Sequence, residues 1–492
     1  EYLCLPKTAW PPTSRKLYNE RFEEWRRARN LSDGGNPGER NRQFERFLTE
    51  TYEKRYAQMV KFVRSLGVRC PLSDQNMGAT PKLSLMRRDY DYVDTHGYSS
   101  HPRFAGRSWQ LPSLVTQKSA IAGQFAVPWH LASSRLFGKP FTVTEFDYAK
   151  PNRFRAEGPA LIGAYAGLQG WDMLVQFAYS HGTENYQKEG RTRNHFDLST
   201  DLVKSLAQRI GVALFSPAGI QPATKGFAAL LAADGKIPFD TNYNVELSQL
   251  GQIARVGTLV VPPGTLAALP EDVAAVIDIG TAFPRGAAGK LPVFNAALGR
   301  KTLIQELIDA GYLEKGCYDA ASGFYRSLGG AIELNRSKQT FRALSDACEV
   351  LILPAGRKMS GSFLAVDNKV GRAVIAAISA DGKKLRDSDR ILLLHLTDTQ
   401  ATKAKFASPE MEQLDGWGTT PFLAARGEAV LTLAPADGRN YRVYAVDTAG
   451  KRLGEVKTLR AKDGKLTLPL RVFQPFGTVL AYELEAVAPG QK

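Results

Sequence analysis

Three features of the sequence predict an α/β fold followed by an all-β one. The expected architecture is the C-terminal half of a (β/α)8 barrel at residues 1–215, a mixed region at 216–330 and an antiparallel β-sandwich at 331–492. First, polar and aromatic residues cluster at the exits of successive short apolar runs, as at the strand ends of a (β/α) barrel. Second, helix-like and strand-like patterns alternate early in the chain, the rhythm of parallel βα units. Third, from about residue 331 short strands recur between tight-turn signals with no helices between them. A chain of 492 residues is also too long for one ordinary domain.

Residues 15–66 read as helix, broken at Ser32-Asp33-Gly34-Gly35-Asn36-Pro37-Gly38. Phe44, Phe47, Leu48, Tyr52, Tyr56, Met59, Val60, Val63 and Leu66 recur at spacings of three and four and define one apolar face. Gly67 is a fitting stop. Val68 to Leu72 is expected as a strand with Ser73, Asp74, Gln75 and Asn76 at its exit. Further strands are expected up to His96, from Phe141 into Glu145, and from Asp172 to Ala178. A helix-like stretch runs to about Gly138. Pro151 opens a helix through Ala156, Ala160, Ile162, Ala164, Tyr165 and Leu168. Leu202 to Phe215 reads as a helix packed against the last strand. Four strands make half a barrel and would leave an open edge. The first half is therefore expected upstream of Glu1.

The middle region carries apolar runs at Thr258 to Val261 and Val273 to Ile279, without a legible topology. Beyond it, strands are expected at Val350 to Leu353, Ala373 to Ile378, Ile391 to Leu396, Ala429 to Leu433, Arg442 to Val446, Leu466 to Leu470 and Thr478 to Leu484. Asp381-Gly382, Asp437-Gly438, Ala449-Gly450 and Asp463-Gly464 mark the turns.

Composition narrows the function classes. A hydrophobic fraction of 43% and a charged fraction of 23% are those of a soluble globular protein. No apolar run approaches the ~18 residues needed to span a bilayer. The net charge of +15 is spread along the chain without a basic tail. It reads as a solvated surface with an attraction for anionic polymers, not as a nucleic-acid interface. Cys4, Cys70, Cys317 and Cys348 are far apart, form no C-x-x-C, and read as buried free thiols. The six histidines are well separated and form no metal-ligand cluster. Nucleophile-elbow, phosphate-loop, zincin and dinucleotide motifs are absent, so no cofactor is implied.

The chemistry centres on Glu145 in Lys139-Pro140-Phe141-Thr142-Val143-Thr144-Glu145-Phe146. A strand-end carboxylate of this kind can attack an anomeric carbon. Alone it is more often a solvated cap; its company sets it apart. Asp94, His96 and Tyr98 share one strand face if the period of two persists, and Tyr98 is placed to hydrogen-bond Glu145. Asn76 is a candidate hydroxyl binder. Trp171 either stacks on a sugar or is plain barrel core. His181 and Trp109 carry weaker signals, Trp129 and His130 read as structural, and Arg153, Arg155 and Glu157 read as a charged lip.

The series of motifs resembles the clan A glycoside hydrolases, the cellulase-like retaining enzymes. Thr144-Glu145-Phe146 is similar to their nucleophile strand. Asp94-Thr95-His96-Gly97-Tyr98 with His101-Pro102 looks like their sixth strand. Gln169-Gly170-Trp171-Asp172 with Phe177-Ala178-Tyr179-Ser180-His181 looks like their eighth, and Ser73-Asp74-Gln75-Asn76 like their fifth. Leu392 to Gly418 also looks like the C-terminal β domain of large bacterial members. The resemblance implies a poly- or oligosaccharide substrate, a β-glycosidic bond, and Glu145 as nucleophile. It implies Asn76, His96, Tyr98, Trp171 and His181 as sugar-site residues, and a secreted, periplasmic or cell-surface location. The clan's acid/base belongs to an Asn-Glu pair that this chain lacks. Asn19-Glu20 lies in a helical pattern, whereas Glu1 stands where that Glu would be if the chain began inside the motif. The other class to weigh is a non-catalytic carbohydrate-binding or surface protein on a degenerate, incomplete barrel. The C-terminal sandwich, with Trp417 as its only Trp, is expected to be structural.

Overall fold

The computed structural model describes residues 11–32, 36–123, 127–188, 190–233, 237, 241–262, 269–279, 292–295 and 302–487. Glu1 and Cys4 lie outside them. Two helices come first, α1 (Pro12–Arg27) and α2 (Pro37–Ser65). Phe22 of α1 packs on Phe44 and Phe47 of α2, with ring centroids 5.0 and 5.7 Å apart. Asn36 caps α2 by accepting the Glu39 N–H at 2.8 Å, and Pro37 sits where no backbone donor is needed. Asn19 and Glu20 lie exposed on α1.

The strand expected at Val68 to Leu72 does not form. Pro71 removes a donor, and side chains take the ladder's bonds instead. Arg64 Nη1 donates to the Val68 and Cys70 carbonyls at 3.1 and 2.7 Å, and the Leu72 N–H donates to Asp91 at 2.8 Å. Cys70 is exposed, contrary to the expectation of burial; Cys317 and Cys348 are buried free thiols.

The other three strands form one parallel sheet in the order β1 (Val93–Ser99), β2 (Phe141–Tyr148), β3 (Met173–Gln176). β2 runs past Glu145 to Tyr148. Between β2 and β3 lies α3 (Gly158–Gln169), buried at every position and ended by Gly170 in the left-handed region at φ +62°. The helix expected to run on to Gly138 is reduced to Trp129–Ala132. Helix α4 (Leu202–Phe215) matches its expected span and lies mainly against α3 and the C-terminal sheet.

The middle region is a second parallel sheet. Its strands are β4 (Gly226–Ala232), β5 (Arg255–Val261), β6 (Val273–Asp278) and β7 (Val293–Asn295), in the order β5-β4-β6-β7. β4 is buried throughout, as expected of a central parallel strand. Leu136 extends this sheet at β5 through a bridge to Thr258. Among the described residues the two parallel sheets do not close into a barrel.

The C-terminal region is an antiparallel sheet of ten strands, from Tyr318–Asp319 at one edge to Arg452–Leu459 at the other, together with a four-stranded sheet. The larger sheet begins before the expected boundary at 330. Its strand Cys348–Leu353 shows why it is central. Cys348, Val350 and Ile352 belong to the core shared with α3 and α4. Leu351 and Leu353 belong to the core shared with Leu364, Leu431 and Leu468 of the smaller sheet. Both faces are therefore covered.

Buried ion pairs join the two halves, which corrects the reading of Arg155 and Glu157 as a charged lip. Arg155 is 2% exposed and donates to Asp201 and Asp398, each at 2.6 Å, and to the Thr399 carbonyl at 2.8 Å. Glu157 accepts from Ser119 at 2.7 Å and from Arg372. Ser113–Leu114 also pairs with Gln413–Leu414, so one small sheet draws strands from both halves. Among the described residues no helix is long and apolar enough to cross a membrane.

Candidate active site

Glu145 reaches the site through a β-bulge. β1 and β2 pair Thr95 with Val143 and then His96 with Glu145, leaving Thr144 as the extra residue. Strict alternation would send Thr144 and Glu145 to opposite faces. The bulge turns both toward β1, as such irregularities commonly re-aim a side chain. Thr142 and Thr144 accordingly bond Asp94, while Glu145 meets His96 and Tyr98.

The polar groups form one connected chain. Asp94 is 4% exposed and accepts from Thr142 Oγ1 at 2.7 Å, from the Thr144 N–H at 3.0 Å and from Thr144 Oγ1. Burial alone would raise its pKa; hydrogen bonds from His96, Thr144 and Thr142 outweigh that and hold it low. His96 Nε2 lies 3.1 Å from Thr144 Oγ1 and 3.6 Å from Asp94, and its Nδ1 lies 3.3 Å from Glu145 Oε2. Tyr98 donates its hydroxyl to the same Glu145 oxygen. Burial, reinforced by the Glu145 carboxylate, pushes the Tyr98 pKa up, so the phenol remains a donor. Gly97 lets this strand lie flush on its other neighbour, since a Cβ there would come within 2.7 Å of Leu131.

Glu145 opens into a cleft of about 1060 Å³, ample for several sugar rings. One wall is His101, Phe104 and Trp109, which touch through ring centroids 5.1–5.8 Å apart. Another is Phe177 and Phe196, 5.7 Å apart, with Tyr98 against both. Trp417 reaches in from the C-terminal region, and its ring lies 4.7 Å from that of His195. Trp109 is 64% exposed and therefore presents its ring to solvent.

Four of the chain's six histidines line this cleft: His96, His101, His181 and His195. Two are tied to buried residues. His181 Nδ1 pairs with the fully buried Asp197, which also accepts the His181 N–H at 3.0 Å and the Asn185 amide at 2.6 Å. His195 Nδ1 donates to the Lys150 carbonyl at 2.6 Å, and burial lowers its pKa to about 4. Among the described residues no group of three or more His, Cys, Asp or Glu could hold a metal ion.

Of the residues singled out in the sequence, the structure brings Glu145, His96, Tyr98 and His181 together, with Trp109 on the rim. Asn76 is exposed and does not line the cleft, although its neighbours Met77 and Gly78 do. Trp171 is also absent from it. It is 5% exposed and packs on Phe141 at the opposite end of β2, which fits the core alternative. Glu1 lies outside the described residues. Sequence reasoning missed Glu184, the second carboxylate in the lining, as well as Arg191, Arg193, Phe196 and Trp417. The segment holding the first four has no periodicity to read; its density of Asn, Arg and His is the only signal. No protein-family profile, curated protein or solved structure matches the chain.

Proposed function

We propose that the protein is a retaining β-glycoside hydrolase acting on a poly- or oligosaccharide, in keeping with its resemblance to the cellulase-like clan. The observation that carries this reading is the Glu145 carboxylate. It is 32% exposed, bonded by Tyr98, faced by His96, and opens into a cleft walled by aromatic rings. Aromatic faces suit the C–H faces of sugar rings, and the phenol donor stabilises the carboxylate as an anion. Glu145 attacks the anomeric carbon as the bond to the leaving oxygen breaks, forming a glycosyl-enzyme. A second carboxyl group protonates the leaving oxygen and then activates water. Glu184 is the candidate for that role within the described lining, and Glu1 is the candidate from the clan pattern.

The test is a 2-deoxy-2-fluoro aryl glycoside panel followed by peptide mass spectrometry. A covalent glycosyl group on the peptide containing Glu145 is expected. Labelling of a different carboxylate would reassign the nucleophile. Glycan binding with neither turnover nor label across the panel would favour the non-catalytic carbohydrate-binding reading.

A further inference from the structure

Two arginines in the cleft form no ion pair with any described residue. Arg191 and Arg193 both contribute to the lining. Among the described residues neither guanidinium has an ion-pair or hydrogen-bond partner, whereas Arg155 and Arg372 are committed to Asp201, Asp398 and Glu157. The cleft's own carboxylates do not serve. Glu145 is engaged by Tyr98 and His96, and Glu184 forms no ion pair with either arginine.

The backbone that presents them is locked. Thr192, between the two, is 2% exposed, and its Oγ1 donates to the Trp417 and Gly418 carbonyls at 3.0 Å each. Lys150 Nζ donates to the Thr192 carbonyl at 2.8 Å, and His195 Nδ1 returns a bond to the Lys150 carbonyl at 2.6 Å. With Thr192 pinned inward, the residues on either side face the cleft from fixed stems. A guanidinium is the side chain best suited to a planar or tetrahedral oxyanion, and pre-positioning reduces the entropy lost on binding.

We propose that the cleft takes an acidic glycan, with a ring bearing a carboxylate or sulfate ester seated against Arg191 and Arg193. This rests on the carbohydrate reading of the site and names its substrate class. The chain's excess positive charge draws polyanions to the surface generally, so the experiment must separate the cleft from the surface.

Calorimetric titration of the full chain with three β-linked oligosaccharides of matched length, one neutral, one uronate-containing and one sulfated, does so. Glycan integrity is checked by mass spectrometry, and KM replaces Kd for any glycan that is cleaved. One acidic glycan is expected to bind at least ~10-fold more tightly than the neutral one, the scale of one charge-assisted hydrogen bond. Whichever is preferred identifies the anion as carboxylate or sulfate. In the double variant Arg191→Ala with Arg193→Ala that preference should vanish, the affinity for the acidic glycan falling to that for the neutral one. The charge-matched control Lys315→Ala with Lys338→Ala, both exposed and away from the cleft, should retain it. A preference for the neutral glycan, or an acidic preference that survives loss of both arginines, overturns the proposal and leaves the glycosidase reading standing. No binding of any glycan by the native chain removes both.

Discussion

The sheet that carries Glu145 and the ten-stranded sheet behind it handle burial in opposite ways. β1 and β2 place Asp94, Thr95, Thr142 and Asp147 in the interior. Strands Cys348–Leu353 and Ala373–Ser379 are almost wholly apolar, with one side-chain set for each neighbouring layer. A buried polar group is costly unless it finds a partner. In the first sheet every such group does, and the partners form a chain from Asp94 to Glu145. The second sheet contributes apolar area and rigidity; the first spends stability on arrangement. Each also holds an exception. Lys204 donates to Asp147 at 2.7 and 2.9 Å behind the site, a pair with a structural role. His395 is fully buried in the ten-stranded sheet with neither ring nitrogen hydrogen-bonded.

The contrast can be broken at both ends. Glu145→Gln should lower kcat/KM on an aryl β-glycoside by ~10⁴-fold, about 5 kcal/mol in the barrier, with an unchanged denaturation midpoint. A variant that turns over normally ends the nucleophile assignment. Arg155→Ala leaves Asp201 and Asp398 buried without their cation and should destabilise the fold by about 3–5 kcal/mol in chemical denaturation. A loss under 1 kcal/mol would mean the clamp does not join the halves as described. Ile352→Ala, in the apolar sheet, should remove about 3 kcal/mol of stability while glycan affinity measured well below the melting temperature stays unchanged. Tyr98→Phe deletes one hydrogen bond to a charged group and should reduce kcat/KM by about 1.5–3 kcal/mol in the barrier; equal rates would show that the phenol does not support Glu145.

The smallest effect comes from His395. Burial lowers its pKa to about 4, from 6.5 when exposed. The unfolded chain therefore binds the proton first as pH falls below 6.5. Stability is full above that value and declines toward pH 4, at roughly 1 kcal/mol per pH unit. His395→Leu should flatten that slope in urea midpoints measured across the interval. His195, also lowered to about 4 by burial, contributes a slope of the same sign that the variant leaves in place. An unaltered slope in the variant would assign the whole acid sensitivity elsewhere.

Much of the scaffold was legible in the sequence. The expected C-terminal strands fall within a few residues of their observed positions, because alternation and Asp-Gly or Ala-Gly turns are local signals. Helix α4 was legible for the same reason. Val68 to Leu72 failed because an apolar run bounded by polar residues does not reveal whether a ladder partner exists. Arg155 and Glu157 failed because charged residues after a strand usually face water, and only the arrival of Asp398 and Arg372 from the far end of the chain makes burial tolerable. The site was half legible. Asp94, His96, Tyr98 and Glu145 belong together by strand parity and proximity, whereas Phe196 and Trp417 come from segments with no pattern to announce them.

The amino-acid order by itself determined where most of the C-terminal strands and helix α4 form, since these follow from backbone sterics and residue periodicity. Only the tertiary structure decided that Thr144 bulges out of register so that Glu145 turns toward Tyr98. It also decided that the cleft is completed by Trp417 from the C-terminal half and that two arginines stand in it without an ion-pair partner among the described residues. Each of these depends on which strands and loops meet across long sequence separations, and pairing of that kind leaves no local trace.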